Sequence, residues 1–260
     1  MQDATCGDRA VGTTSPHWDG EPMRDAKPIL VVLHQEHSNP GHIGQVLRAQ
    51  GHALDVRKPR FGDALPETLD HHDGAVIFGG PMSANDPDDY VKRETDWIGV
   101  ALREKAPFLG VCLGGQMLAK HLGGTVFLHE AGHVEIGYHP VRPLRPVYAE
   151  GDWPSFVYQW HKEGFTVPRG CDVLMEGGNA FPSQAFEYGP TAVGIQFHPE
   201  ITYAMISRWS GHNPHKLTQP GAKDRASQLR DHIAHGPAIR TWLDRFLRSW
   251  VREGRQQRAI

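Results

Sequence analysis

Residues 107–122 read PFLGVCLGGQMLAKHL. The first part, PFLGVC (107–112), is a short apolar run and reads as a buried strand. The second, LGGQMLAKHL (113–122), reads as a helix. A strand that passes into a helix at a single residue is half of a βα unit, the building block of a parallel sheet covered on both faces. The joining residue is Cys112, with Gly110 two positions before it and Gly114 two after.

The same alternation extends in both directions. Upstream, ILVVLH (29–34) is a β-branched run after Pro28, and GHIGQVLRAQ (41–50) spaces Ile43, Val46 and Leu47 as one helical face, with Gly51 at its stop. HALDV (52–56) reads as a strand, and GAVIFGG (74–80) as another that ends in glycines before Pro81. DPDDYVKRETDWIGVALREK (86–105) opens with acids and closes with bases, the order a helix dipole favours. Downstream, short segments at 124–128, 133–142, 155–160, 172–175 and 184–188 read as strands, some antiparallel. TAVGIQF (191–197) is a longer buried run, EITYAMISRW (200–209) has helical spacing, and a polar stretch follows at 210–222. The segment 237–252 places Pro237 at a helix start, with Ile239, Trp242, Leu243, Phe246 and Trp250 as one apolar stripe. Docking on the domain's own core is the plain reading of that stripe, and a dimer contact the alternative.

The predicted fold is therefore α/β: a flavodoxin-like, open, mostly parallel sheet with helices on both faces, plus short antiparallel strands in the second half. Residues 1–27, rich in Gly, Pro, Ser, Thr and charge, read as a mobile lead-in; 28–252 as a single domain; 253–260 as a polar tail.

Bulk composition narrows the function. The 260 residues carry a net charge of −3, so a nucleic-acid partner is not expected. No apolar run approaches the ~18 residues of a membrane span, and the N-terminus lacks the apolar stretch of a secretory signal. Cys6, Cys112 and Cys171 are an odd set without paired spacing, which argues against disulfides and for a reducing cytoplasm. The 17 histidines come with no CxxC or HExxH, and solvated or hydrogen-bonding roles explain them better than a metal.

Open sheets of this kind place functional loops at the carboxyl ends of their strands. Cys112 sits at one such end, in a G-x-nucleophile-x-G elbow with cysteine in the serine position. The turn strains the nucleophile's backbone. The helix N-terminus favours thiolate over thiol. The N–H of Leu113 is left as one half of an oxyanion hole. A base is supplied in GIQFHPE (194–200), where His198 closes a strand and Glu200 lies on the same side two residues on. That carboxylate would hold the imidazole tautomer and stabilise the imidazolium. FGGPMS (78–83) offers the N–H of Gly80 as the second oxyanion donor.

Taken together and in order, GVCLGGQMLA, FGGP and QFHPE resemble the class-I, triad-type glutamine amidotransferases, in the form of stand-alone GMP-synthase-like domains. The resemblance covers roughly residues 29–205 and extends to PMSANDPDDY, HVEIGYHPV, YQWHKEGF and SQAFEYG. It implies that Cys112 attacks the side-chain amide of glutamine, that His198 moves the proton to departing ammonia, that Glu200 orients His198, and that Gly80 and Leu113 hold the oxyanion. It implies also that Gln116 contacts the bound glutamine beside Gly79. The chain departs from the family at Gly115, where histidine is frequent, and at His161-Lys-Glu-Gly-Phe165, where stand-alone members often read HGDTF. His161 and Glu135 are candidate pocket residues on that account.

No GxxxxGK[ST] loop and no SGGxDS stretch is present to activate a second substrate with ATP, and the reading calls for no cofactor. Three functions follow from the site: a glutaminase feeding a separate synthetase subunit, a free-standing γ-glutamyl peptide hydrolase, or a non-catalytic regulatory relative. The substrate of the first two is a small molecule, glutamine or a γ-glutamyl compound.

Overall fold

In the strand Ile29–Val32 (β1), successive side chains enter opposite cores, Ile29 and Val31 on one face of the sheet and Leu30 and Val32 on the other. That is why the run ILVV shows no polar alternation: both faces are covered. The computed structural model describes residues 26–145 and 153–259. The expectations for residues 1–25, including Cys6, concern positions outside the described residues.

After β1 come α1 (Gly41–Ala49), β2 (Leu54–Arg57), β3 (Gly74–Ile77), α2 (Asp89–Arg103), β4 (Phe108–Val111), α3 (Leu113–His121) and β5 (Val126–Leu128). The second half adds β6 (Glu135–Pro140), β7 (Arg142–Pro143), β8 (Phe156–His161), β9 (Glu163–Phe165), β10 (Asp172–Glu176), β11 (Ser183–Tyr188), β12 (Ala192–Ile195), α4 (Tyr203–His212) and α5 (Arg225–Arg258). The main sheet has the order β2-β1-β3-β4-β12-β11-β10-β7. Its first five strands are parallel, and β11, β10 and β7 extend it antiparallel. Two small antiparallel pairs, β5-β9 and β6-β8, stand apart.

On one face α1 and α5 pack through Ile43, Leu47, Trp242, Phe246 and Trp250 onto Val31, Leu109 and Val193. On the other face α2 and α3 pack through Ile98, Ala101, Met117 and Leu118 onto Leu30, Ala75 and Phe108. Burying each large apolar side chain contributes about 1.5–3 kcal/mol. The apolar stripe of the last helix therefore docks on the domain's own core, the plainer of the two readings.

The expected helix start at Pro237 is corrected by the structure. α5 begins at Arg225, where the Asp224 carboxylate accepts from the Ser227 N–H at 2.9 Å, and Pro237 lies inside the helix. An interior proline costs about 3 kcal/mol. The N-cap upstream and the buried stripe downstream fix the helix on both sides of it, so packing overrides that local signal. The segment expected as a polar tail continues the same helix, with Gly254 buried against Pro107 and Arg255 paired with Asp73.

Other bounds shift by a few residues. The helix expected from residue 200 begins at Tyr203, because the Thr202 side chain caps it by accepting from the Met205 N–H. The run 191–197 is strand only to Ile195, since the chain leaves the sheet there to build a turn. Strand β9 has no counterpart among the expected segments.

Candidate active site

The carboxyl ends of β1, β3, β4 and β12 lie side by side in the sheet, and the residues that follow each of them converge on one cleft of about 740 Å³. Cys112 directly follows β4, as the N-cap of α3, with φ 51° and ψ −103°. A non-glycine residue in such a conformation is strained by about 1–3 kcal/mol. It is held there from both sides: its N–H donates to Ile195 O at 2.8 Å, and its carbonyl accepts the first helical bond from the Gln116 N–H at 2.9 Å. The elbow closes so tightly that a Cβ on Gly114 would lie 2.1 Å from Ile77 O, and one on Gly110 2.4 Å from Gly114 O. Only glycine fits at either position.

The end of β3 reaches the same place. A Cβ on Gly79 would come within 2.8 Å of His198 Cε1 and 3.5 Å of Cys112 Cβ, and one on Gly80 within 3.0 Å of Leu113 Cδ2. The FGGP turn thus lies directly against the sulfur-bearing elbow and the imidazole.

His198 follows β12, its N–H donating to Tyr158 O at 2.8 Å. Its Nδ1 donates to Glu200 Oε1 at 2.8 Å, and both side chains are buried. The N-terminus of α1 secures this turn, because the His42 N–H donates to Glu200 O at 2.8 Å. Trp209 of α4 packs edge-on to the imidazole, with ring centroids 5.3 Å apart. His198 Nε2 makes no hydrogen bond among the described residues. Burial alone would lower its pKa, but the Glu200 carboxylate and the Cys112 sulfur outweigh burial, and His198 is pushed up to about 10. At neutral pH the ring is therefore an imidazolium, standing beside the Cys112 sulfur at the N-terminus of α3. At Cys171, burial and Asp172 push the thiol up to about 11, so it stays protonated at neutral pH.

A buried polar network backs the other wall. Gln196 Nε2 reaches the Cys112 sulfur at 3.7 Å. Gln116 Nε2 donates to Glu163 O at 2.9 Å and to Gln196 Oε1 at 3.3 Å. His161 faces two acceptors, Glu163 O and Glu135 Oε2, both at 3.0 Å. Gln184 Nε2 donates to the same Glu135 oxygen at 3.0 Å.

Gly79, Gly80, Cys112, Leu113, Gln116, His161, His198 and Glu200 all line the cleft. Glu135 does not; it stands behind His161 and fixes that ring. Sequence reasoning did not single out Gln196 or Trp209. Gln196 lies inside the quoted GIQFHPE, two residues before His198, and that position was its signal. Trp209 carried none beyond its place on a helix face. Among the described residues no group of three or more His, Cys, Asp or Glu side chains is arranged to hold a metal ion, and no helix is long and apolar enough to cross a membrane.

The α/β sheet thus brings a cysteine elbow, a buried His–Glu pair and a glycine turn together at its carboxyl edge. The family model "Glutamine amidotransferase class-I" matches residues 31–205. The chain therefore belongs to the class-I glutamine amidotransferase family, which supports a glutamine amidotransferase-type function. Over 205 residues it is 27% identical to the glutamine amidotransferase-like protein YfeJ of Salmonella typhimurium, covering 75% of this chain and 84% of that one. Over 144 residues it is 31% identical to one subunit of the glutamine-hydrolysing GMP synthase of Sulfurisphaera tokodaii, covering 53% and 72%. A glutamine amidotransferase structure from Methylobacillus flagellatus superposes with a TM-score of 0.81 at 27% identity, over 88% of this chain and 95% of that one.

Proposed function

We propose that the protein is an enzyme that cleaves a γ-glutamyl amide through a thioester on Cys112. The sulfur attacks the γ-carbonyl carbon. The N–H groups of Leu113 and Gly80 stabilise the oxyanion as the tetrahedral intermediate forms. The intermediate collapses as the C–N bond breaks, and His198 gives its proton to the departing nitrogen while Glu200 holds the imidazole in place. Water, activated by the now neutral His198, then resolves the thioester to a glutamate carboxylate and regenerates the thiolate. The observation that carries this reading is the strained Cys112 elbow beside the buried His198–Glu200 pair. Gln116, and His161 held by Glu135, fit the wall that receives the glutamyl group.

Two fates for the released nitrogen remain distinct. The likeness to one subunit of a GMP synthase favours glutamine as the substrate, with its ammonia consumed by a separate synthetase subunit. A second reading, a free-standing γ-glutamyl hydrolase, is favoured by the basic and aromatic residues of the cleft wall. Lys162, Arg208 and Lys216 line it together with Trp160 and Trp209, and the proximity of Lys162 adds to the burial that lowers Lys216. Such a chamber suits a leaving amine that carries its own carboxylate, as in a γ-glutamyl dipeptide. Steady-state assays on glutamine and on γ-glutamyl dipeptides separate the readings. Dipeptide turnover at ordinary enzyme rates, ~1–10³ per second, with little action on glutamine means a hydrolase. Slow glutamine hydrolysis alone means a glutaminase that works with a partner. No turnover of either refutes the proposal.

A further inference from the structure

Directly beneath the FGGP turn, outside the cleft, lies a second buried histidine–carboxylate pair. His34 follows β1, and Glu94 projects from α2; both side chains are 0% exposed. His34 Nε2 lies 2.7 Å from Glu94 Oε2, and His34 Nδ1 lies 3.2 Å from Gly79 O. We infer that His34, fixed by Glu94, is a positioning residue that locks the oxyanion-hole peptide in its working orientation. This rests on the reading that Cys112 is the nucleophile and the Gly80 N–H an oxyanion donor.

Gly79 O and Gly80 N belong to one peptide plane, and the described chain contains no cis peptide bond. In a planar trans peptide the C=O and N–H point in opposite directions. Holding the Gly79 carbonyl down on His34 therefore turns the Gly80 N–H away from His34. Gly79 and Gly80 line the cleft with Cys112 and His198, whereas His34 does not, so an N–H turned away from His34 is free to face the cleft. Two consecutive glycines flip this plane at little cost in the absence of a restraint, since both tolerate either sign of φ. Once the plane flips, the hole presents an oxygen to an oxyanion.

The proton arrangement makes the restraint one-directional. Both partners of His34 are acceptors when Glu94 is ionised, so the fully bonded ring carries a proton on each nitrogen. Shifting one of these two protons across the His34–Glu94 bond gives the other fully bonded arrangement, in which a neutral Glu94 donates to Nε2 and the ring keeps its proton on Nδ1. Each fully bonded arrangement puts the donor on Nδ1, facing Gly79 O. The Glu94 carboxylate thereby selects the state of a ring that never touches substrate, much as a triad carboxylate orients its histidine.

The test is a pair of near-isosteric substitutions. In His34→Asn the amide nitrogen takes the place of Nδ1 and keeps the bond to Gly79 O. In His34→Gln the amide reaches the place of Nε2 and keeps the bond to Glu94, but leaves Gly79 O free. Two rates are read: acylation of Cys112 by a γ-glutamyl anilide, which needs the oxyanion hole, and alkylation of Cys112 by iodoacetamide, which does not. We expect His34→Gln to lose about 10²-fold in acylation, the scale of one oxyanion donor, with alkylation unchanged within about twofold. His34→Asn should restore at least tenfold of that loss. A purely structural role, satisfying buried Glu94, predicts the reverse order, and that order would overturn the inference. So would parallel losses in both rates, or acylation by His34→Gln within about threefold of wild type. Should His34→Asn fail to fold, His34→Gln keeps the buried carboxylate paired and decides alone. A wild-type protein that is never acylated refutes the proposed function itself, a different outcome from wild-type acylation that the variants leave unchanged.

Discussion

Replacing Cys112 by glycine should make the protein more stable than replacing it by alanine. The residue sits at φ 51° and ψ −103°, a conformation that alanine enters only with strain and glycine enters freely. The strain is about 1–3 kcal/mol. Against it stands the greater freedom of glycine in the unfolded chain, about 0.5–1 kcal/mol. The balance favours glycine by roughly 1 kcal/mol, or about 2–4 °C in Tm for a domain of this size. Both variants lack the sulfur beside His198, so their difference isolates the backbone. Urea titrations followed by circular dichroism give the two midpoints with a common slope. An alanine variant as stable as the glycine variant, or more so, would refute the claim that folding stores strain at this position. It would remove the physical reason for reading the elbow as a functional device.

Gly79→Ala adds a methyl whose carbon would lie 2.8 Å from His198 Cε1; displacing the imidazole by even a fraction of an ångström should cost up to about 10²-fold in rate with little change in Tm, and an unchanged rate would mean that the ring is not placed for chemistry. Gly114→Ala puts the same carbon 2.1 Å from Ile77 O, a backbone clash that no side chain can relieve, so calorimetry should show destabilisation at or above the ~1–3 kcal/mol of ordinary overpacking. Glu200→Gln removes the charge that most raises His198, so the imidazole should titrate well below the wild-type value of about 10 in nitrogen NMR; the rate should fall less than in His198→Asn, and an unmoved titration would contradict the pairing. Because folding raises the His198 pKa, its contribution to stability is complete below about pH 6.5 and is lost as pH rises through about 10. The stability advantage of wild type over Glu200→Gln should therefore shrink across that window, and a pH-independent difference would be inconsistent with the account.

Most of the parallel sheet was legible because its strands are buried on both faces. Runs such as ILVV and GAVI suit strands covered on both faces, and the helices between them carry their own stop signals. The elbow was legible for a related reason: glycines at 110 and 114 flank a cysteine at a strand end. Pro237 misled because a local rule about helix starts was outweighed by tertiary packing that no short window contains. Strand β9 stayed hidden because it is three residues long and is held by pairing with β5, a contact distant in sequence. The His34–Glu94 pair could not be read at all, since sixty positions separate its members and only the adjacency of β1 to β3 brings the imidazole under Gly79. His161 and Glu135 were suspected one at a time. The structure joins them through a hydrogen bond and leaves only His161 facing the cleft.

The central claim is covalent chemistry at Cys112, and one measurement addresses it directly. The pure protein is mixed with glutamine or a γ-glutamyl dipeptide, quenched in acid within the first turnovers, and digested, and the peptide bearing Cys112 is weighed. The account predicts added mass equal to one γ-glutamyl group on that peptide, labile to hydroxylamine, absent in Cys112→Ala and absent from the peptide bearing Cys171. Turnover of either substrate with the Cys112 peptide unmodified at every quench time, or turnover that persists in Cys112→Ala, would contradict it.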